Sequence, residues 1–186
     1  MSDCCSPINN EPEKIEVVAS GDSCCSDGAC SVPNAEVTST TTKTNTCPTC
    51  GQKGKAVDTQ TVKALLSVSL RTIQEGTQYY FCKTANCDVV YFNEDGAQTY
   101  GQDDVRVTVY QKVPEQDETP VCYCFSHTVG EVRAAAHSGT DTILIDDITV
   151  STQVGQCACD IRNPQGSCCL GNVRKVAKST SKTATV

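Results

Sequence analysis

The chain contains no tryptophan, three phenylalanines and a single methionine among its 186 residues. Because aromatic side chains supply much of the buried area of a small core, this scarcity excludes a large aromatic core. Its apolar runs are far shorter than the roughly 20 residues that a membrane helix needs. The N-terminus also lacks the basic and apolar regions of a signal peptide. These absences predict a soluble, cytoplasmic protein with no membrane span.

Basic and imidazole side chains are also scarce. Fifteen Lys and Arg stand against 22 Asp and Glu, which gives a net charge of −7. This balance argues against a protein that binds the phosphate backbone, so we expect no nucleic-acid partner. His127 and His137 lie in no recognisable Cys–His–Asp arrangement, and no HExxH motif or phosphate-binding glycine loop occurs. No catalytic residue is therefore predicted, although a metal-ion reductase activity stays open.

Cysteine is the residue in excess, with 15 copies in the chain. That is about 8%, a level typical of small folds stapled by metals or disulfides. In a reducing compartment thiols stay reduced, which favours metal binding over a disulfide framework. The odd number of cysteines also fits poorly with complete pairing.

Residues 1–46 contain no aromatic side chain, and their seven acidic and two basic residues give −5 of the net charge. This composition predicts a disordered acidic tail that ends in a Thr-rich linker. The tail carries five cysteines, Cys4, Cys5, Cys24, Cys25 and Cys30. Soft thiolates suit Cu⁺ or Hg²⁺, so capture of a soft metal is one interpretation and incidental, oxidation-prone thiols are the other.

Residues 47–113 have the alternating texture of a β module. The clearest strands are predicted at residues 79–81, 89–92 and 105–110. The apolar stretch at residues 62–66 fits a strand or a helix, and its periodicity does not decide between them. The charged segment 114–120 begins and ends with proline, which cannot donate to a strand ladder, so we place a domain boundary there.

Residues 121–178 carry helical signals instead. Thr128 and Glu131 have the spacing of a capping box, in which each side chain satisfies a free backbone donor at a helix start. Further helices are predicted near residues 143–154 and from Ser167 to Lys178, with residues 179–186 as a flexible C-terminus. The fold class is therefore α+β, a small β module followed by a small helical module and preceded by a disordered tail.

Two close cysteine pairs, Cys47 with Cys50 and Cys82 with Cys87, are separated by the strand-rich part of the β module. Four thiolates at this spacing are typical of a tetrahedral structural zinc site. A thioredoxin-like CxxC redox motif is the alternative, but such a motif should follow a strand and open a helix. Cysteine fills all four ligand positions, so we expect Zn²⁺ in a structural role.

A second cysteine group begins with the CxC pair Cys122 and Cys124 and continues with Cys157, Cys159, Cys168 and Cys169. A CxC pair is unusual for one tetrahedral zinc, whereas its two thiolates can serve an iron–sulfur cluster. Helix N-termini predicted at Thr128 and Ser167 would aim free N–H groups at such an anionic cluster. We therefore predict a [2Fe–2S] cluster, with a second zinc ion as the alternative.

Four motifs together resemble the N-terminal region of the CopZ-type copper chaperones. They are CPTC at 47–50, the run YFCKTANCDVVYF at 80–92, VCYCF at 121–125 and NPQGSCCLG at 163–171. The resemblance covers about residues 47–178. It implies a CopZ-type zinc-binding domain at 47–113, followed at 121–178 by a [2Fe–2S] domain similar to the bacterioferritin-associated ferredoxin.

Carried over residue by residue, the resemblance assigns zinc to Cys47, Cys50, Cys82 and Cys87. It assigns the cluster to Cys122 and Cys124 plus two of the last four cysteines. A related CxC-x32-C spacing favours Cys157 as the third ligand, whereas a ten-residue step between the third and fourth ligands fits Cys159 and Cys169. We select Cys159 and Cys169, which leaves Cys157 and Cys168 as spare thiols.

The resemblance implies a role in copper or other soft-metal homeostasis. The chain would bind metal and supply an electron for the reduction of Cu(II) to Cu(I), with a metal-transporting ATPase, a metal chaperone or a redox protein as partner. In that family a separate domain with a Met-x-Cys-x-x-Cys loop carries copper, whereas the single methionine here is Met1. A ferredoxin-like electron-transfer protein and a mercury- or arsenic-resistance protein are the alternatives.

Overall fold

The computed structural model describes the backbone of residues 44–183 and the side chains as far as Ser181. The predictions for residues 1–43 and 184–186, including the five tail cysteines, lie outside the described residues. Within the described range the strands are β1 (Lys55–Val57), β2 (Tyr79–Phe81), β3 (Val89–Asn93), β4 (Thr99–Gly101), β5 (Pro120–Cys122) and β6 (His127–Thr128). The helices are α1 (Thr59–Leu65), α2 (Val129–Ser138), α3 (Asp141–Gln153), α4 (Cys159–Arg162) and α5 (Leu170–Thr183).

Strands β1 to β4 form one antiparallel sheet in the order β1-β2-β3-β4. Phe81 pairs with Lys55 on one side and with Tyr91 on the other, and Tyr91 pairs in turn with Tyr100. All five residues of β3 are buried, because apolar side chains cover both faces of this central strand. The strands predicted at 79–81 and 89–92 are confirmed.

The main core of the β part lies between the sheet and α1. Its members are Val57, Val62, Leu66, Ile73, Tyr79, Phe81, Val90, Tyr91, Tyr100, Val105 and Val109. The ambiguous stretch 62–66 proves to be largely helical, since α1 ends at Leu65 and buries both Val62, a member of this core, and Leu65. A period of 3.6 residues places these two side chains on one helix face.

The strand predicted at residues 105–110 is wrong. Only Val105 makes an isolated bridge, to Leu66, and the rest of the segment is irregular. Its backbone groups find other partners, because the Thr108 carbonyl accepts from the Tyr123 hydroxyl and the Val109 carbonyl closes a turn with the Lys112 N–H. Val105 and Val109 are still buried and Val107 is half-buried, so the alternation predicted burial at two of the three valines although no strand pairing forms.

The helical part packs α2, α3 and α5 around a second core. The buried members are Tyr110, Val121, Cys122, Val129, Val132, Ile148, Cys169, Val173, Val176 and Ala177. The predicted capping box is confirmed, since the Thr128 hydroxyl accepts from the Glu131 N–H while the Glu131 carboxylate accepts from the Thr128 N–H. The second predicted helix is confirmed as α3.

The helix predicted to start at Ser167 begins instead at Leu170 and continues to Thr183. Ser167 stays outside because its carbonyl accepts hydrogen bonds from the side chains of Asn163 and Gln165, which hold a turn rather than a helix start. The short helix α4 had no counterpart in the sequence prediction. Its four residues are too few for a periodic pattern to be visible.

The described chain is thus a mixed fold of one four-stranded antiparallel sheet, a two-stranded ribbon of β5 and β6, and helices. All described residues belong to one compact unit. The predicted boundary segment 114–120 consists of turns that lead into β5, and the division into domains there stays a prediction. None of the helices in the described range is both long enough and apolar enough to span a membrane.

Candidate metal centres

The first cysteine group lies at one end of the sheet. Cys47 and Cys50 stand in a turn closed by the bridge between Thr46 and Lys53, Cys82 directly follows β2, and Cys87 precedes β3. The Sγ atoms of Cys47 and Cys87 are 3.9 Å apart, and those of Cys50 and Cys82 are 3.6 Å apart. All four Sγ atoms lie within 4.8 Å of one another. A tetrahedron with Zn–S bonds of about 2.3 Å has edges of about 3.8 Å, so this geometry fits one zinc ion.

Tight turns shape both halves of this group. The Cys47 carbonyl accepts from the Gly51 N–H at 2.9 Å, and Gly51 has a φ of 68°, which favours glycine. On the other half, the Cys87 N–H donates to the Thr84 carbonyl at 3.2 Å. These turns bring each cysteine pair to the same side of the backbone.

The pKa values of these thiols depend on the balance between burial and hydrogen bonding. Desolvation raises the pKa of Cys87 to about 12, and it also raises the pKa of Cys47. At Cys50 burial acts in the same direction, but hydrogen bonds from Thr84, the Gln52 N–H and neighbouring thiols outweigh it and lower the pKa to about 6. The group therefore offers one ready thiolate, and the buried thiols must release protons when a metal binds.

In the second cysteine group, four of the six thiols form two contacts. The Sγ atoms of Cys122 and Cys169 are 3.0 Å apart, and those of Cys124 and Cys159 are 3.6 Å apart. The Ala158 N–H also donates to the Cys124 sulfur at 3.3 Å. Cys159 and Cys169 are the two residues that the ten-residue spacing selected, and each of them contacts one thiol of the CxC pair.

The two spare thiols are placed differently. Cys157 is half-buried and Cys168 is exposed. Within the described residues neither of them makes a thiol–thiol contact. Cys168 neighbours Cys169 in sequence, but its side chain is exposed where that of Cys169 is buried.

The chemistry of the donor set fits a two-metal cluster. Among residues 44–183, only the first group has at least three ligand atoms within 4.8 Å of one another, so the second group does not form a single tetrahedron. Four thiolates hold a [2Fe–2S] cluster with two on each iron. A cluster held in this way would take one iron at the pair Cys122 and Cys169 and the other at the pair Cys124 and Cys159, with the 3.0 Å sulfur separation of the first pair widening toward about 3.8 Å.

In the second group, the pKa values of Cys122 and Cys169 shift in opposite directions. The hydrogen bond from Cys169, assisted by backbone N–H groups and opposed by burial, lowers the pKa of Cys122 to about 6. The same bond, together with burial, raises the pKa of Cys169 well above its ordinary value. Burial and the contact with Cys124 raise the pKa of Cys159 to about 12. Within the pair of Cys122 and Cys169, the Cys122 thiol is therefore the more acidic.

Four side chains around these centres were missed by the sequence analysis. Lys55, Tyr91 and Lys112 donate to backbone carbonyls of segments that carry cysteines. Tyr123 lies between Cys122 and Cys124 and donates to the Thr108 carbonyl. In the sequence alone, Tyr91 cannot be distinguished from the other core residues of a buried strand. A single buried lysine such as Lys112 leaves no periodic or spacing signal in the sequence.

Comparison with known proteins agrees with this geometry. Residues 44–106 match the zinc-binding domain family of CopZ. The chain is 33% identical over 131 residues to the copper chaperone CopZ of Archaeoglobus fulgidus, an alignment that covers 70% of this chain and 60% of that protein. The X-ray structure of the Archaeoglobus fulgidus CopZ N-terminal domain matches with a TM-score of 0.58 at 27% identity, over 70% of this chain and 96% of that domain.

The chain therefore spans about 60% of the length of this curated relative. The four clustered thiols of the first group all lie inside the matched range 44–106, which fits Zn²⁺ binding by this domain. Residues 44–106 are thus a CopZ-type zinc-binding domain, in a chain that is homologous to the Archaeoglobus copper chaperone CopZ.

Proposed function

We propose that the chain is a CopZ-type metalloprotein of copper or other soft-metal homeostasis that holds one zinc ion and one [2Fe–2S] cluster. The zinc ligands are Cys47, Cys50, Cys82 and Cys87, and the cluster ligands are Cys122, Cys124, Cys159 and Cys169. The observation that carries the iron–sulfur part is the arrangement of the second group as two thiol pairs rather than one tetrahedron.

The zinc site has a structural role in this proposal. Cys47, Cys82 and Cys87 are buried, and four thiolates leave no open coordination position for a substrate. The group joins a turn before β1 to the ends of β2 and β3, so a bound ion ties together three segments of the sheet. Metal binding at such a site contributes directly to folding.

The second group is suited to electron exchange. Cys122 and Cys169 are buried, whereas Cys124 and Cys159 are half-buried, so one side of the group lies nearer to solvent. When bound, a [2Fe–2S] cluster supplies one electron at a time, which is what the reduction of Cu(II) to Cu(I) consumes. The substrate copper ion would gain that electron and become the soft ion that thiolates prefer.

The partner of this activity is a metal-transporting ATPase, a metal chaperone or a redox protein. The exposed thiol of Cys168 and the five tail cysteines are soft ligands that suit Cu⁺ or Hg²⁺. A ferredoxin-like electron carrier is the second candidate, favoured by the half-buried pair of Cys124 and Cys159. In that case deletion of residues 1–43 would leave Cu⁺ and Hg²⁺ binding unchanged.

Anaerobic purification with metal and sulfide analysis tests the proposal. We expect about one zinc and two irons per chain, with sulfide-to-iron absorption bands in the visible range. The reduced protein, mixed with Cu(II) and a Cu(I)-specific chelator, should yield about one Cu(I) per cluster, because a [2Fe–2S] cluster gives up one electron. A colourless protein with two zinc ions would contradict the iron–sulfur assignment. A coloured protein that leaves Cu(II) unreduced would favour the electron-carrier function.

A further inference from the structure

The second cysteine group has two arms, the CxC turn at 122–124 and the loop 163–169. Strand β3 connects the zinc-binding domain to the loop 163–169. β3 begins two residues after Cys87, and its central residue Tyr91 is fully buried. The Tyr91 hydroxyl donates to the Pro164 carbonyl at 2.8 Å. Pro164 belongs to the loop 163–169, which ends in Cys169. A residue of the strand that follows Cys87 therefore holds the loop that carries a ligand of the second group.

Strand β1 makes a second connection to the same loop. The Lys55 ammonium donates to the Gln165 carbonyl at 3.0 Å and also contacts the Ser167 hydroxyl. Between these two residues, Gly166 has a φ of 62°, and a Cβ there would stand 3.2 Å from the Thr61 hydroxyl oxygen of α1. The loop follows the surface of the zinc-binding domain so closely that glycine is needed at its centre.

The CxC arm is held by a separate set of bonds. Tyr123 lies between Cys122 and Cys124, and its hydroxyl donates to the Thr108 carbonyl at 2.9 Å. The same hydroxyl accepts from the Tyr110 N–H at 3.0 Å. Both hydrogen bonds reach the segment that precedes the helical part, so the position of the CxC turn depends on that segment.

Lys112 ties this segment to the first cysteine group. Its side chain is buried, with a residue exposure of 5%, and its ammonium donates to the carbonyls of Thr84 and Val89 at 2.9 and 2.7 Å. These two carbonyls bracket Cys87. A buried ammonium needs polar partners, and these two carbonyls supply them as hydrogen-bond acceptors.

We propose that the zinc-binding domain positions both arms of the second cysteine group, so that the integrity of the zinc site sets how firmly a [2Fe–2S] cluster is held. This inference rests on the proposed function. A bound zinc ion fixes the turn that contains Cys87, and that turn fixes Lys112 and the start of β3. These in turn fix the CxC turn through Tyr123 and the ligand loop through Tyr91. Tyr91 and Lys112 are positioning residues that act through backbone carbonyls rather than on the ligand sulfurs. Direct hydrogen-bond partners of metal ligands change metal affinity by about 10- to 100-fold, so we take the lower end of that range, about 10-fold, for their effect.

A matched pair of substitutions tests the β3 connection. Tyr91→Phe removes the hydroxyl that holds the loop, while Tyr100→Phe removes a hydroxyl from the neighbouring strand at the paired position. Within the described residues the Tyr100 hydroxyl is buried without a hydrogen-bond partner. Each variant is purified anaerobically as the full chain, and the rate at which an iron chelator removes the cluster is followed by visible absorbance.

Tyr91→Phe should release iron about 10-fold faster than wild type, with unchanged zinc content. Tyr100→Phe should release iron at the wild-type rate. Equal release rates for the two variants would overturn the proposal, because a general effect of an altered sheet tyrosine would then explain both. A wild-type protein without iron would contradict the proposed function itself, and this inference with it.

Lys112 provides a test that starts from the zinc side. Lys112→Met should accelerate iron release by about 10-fold or more, and Lys112→Arg, which keeps the positive charge, should restore most of the wild-type rate. Both variants are assayed for zinc and for the visible spectrum of the cluster before the chelator is added. Iron release from Lys112→Met at the wild-type rate would overturn the proposal.

Discussion

Gly54 packs against Phe92 and Tyr80, two aromatic side chains that lie beside the first cysteine group. A Cβ at this position would stand 2.6 Å from Cζ of Phe92 and 2.8 Å from Cβ of Tyr80. Phe92 is fully buried and stacks on Tyr80 with ring centroids 5.5 Å apart. Because its ring also packs among the buried thiols of the first group, Phe92 has little room to retreat. We predict that Gly54→Ala destabilises the protein by about 1–3 kcal/mol through overpacking.

Urea unfolding of the zinc-loaded protein measures this effect. With an m-value of about 2 kcal/mol per molar, a loss of about 2 kcal/mol lowers the midpoint by about 1 M. Gly171→Ala is the matched control, since its Cβ would meet open space in the first turn of α5. The control should be neutral or stabilising by up to about 1 kcal/mol. An unchanged midpoint and zinc content for Gly54→Ala would refute the packing argument.

Three further predictions concern the helical part and the zinc ion. Ile148 is fully buried in the second core, so Ile148→Ala should lower the free energy of unfolding by about 2–5 kcal/mol and Ile148→Val by about 0.5–1.5 kcal/mol. Equal urea midpoints for the two variants would contradict its burial. Thr128→Ala should lose about 1 kcal/mol with the capping box, whereas Thr128→Ser should keep it. Removal of zinc by a chelator should sharply lower the thermal midpoint, and unfolding that is indifferent to zinc would contradict a structural site.

Much of the first centre could be predicted from the sequence. The spacing of the two cysteine pairs and the apolar strand at 89–92 already indicated a stapled sheet, and the structure brings the four thiols together. The Thr128 to Glu131 motif predicted a helix start because both of its bonds are local. A hydrogen-bonding pattern between residues close in the sequence, such as this capping box, forms a short motif that can be recognised without the structure.

Features that depend on distant contacts could not be predicted in this way. The segment 105–110 has the alternation of a strand, but its carbonyl groups bond to the Tyr123 side chain and to a turn instead of a neighbouring strand. There a tertiary hydrogen bond outweighs local propensity. The late start of α5 has a local cause instead, because side chains of Asn163 and Gln165, four and two residues before Ser167, bond to its carbonyl and hold a turn.

The choice among the last four cysteines shows the same limit. Two spacings competed in the sequence, one favouring Cys157 and the other favouring Cys159 with Cys169. Only the folded chain shows which thiols stand beside the CxC pair, and it pairs Cys159 with Cys124 and Cys169 with Cys122. Tyr91 and Tyr123 lie within the motifs at 80–92 and 121–125, but their partners are backbone carbonyls distant in the sequence, which no motif reveals.

Iron and sulfide content of single cysteine variants tests the central claim most directly. Wild type, Cys159→Ser and Cys169→Ser are purified anaerobically beside Cys157→Ser and Cys168→Ser, which are matched controls one or two positions away in the chain. We predict about two irons and two sulfides per chain for wild type and both controls, and loss of most of the iron from the Cys159 and Cys169 variants. Loss of iron from the Cys157 or Cys168 variant, with full retention in the other two, would contradict the ligand assignment. Absence of iron from wild type would contradict the iron–sulfur function.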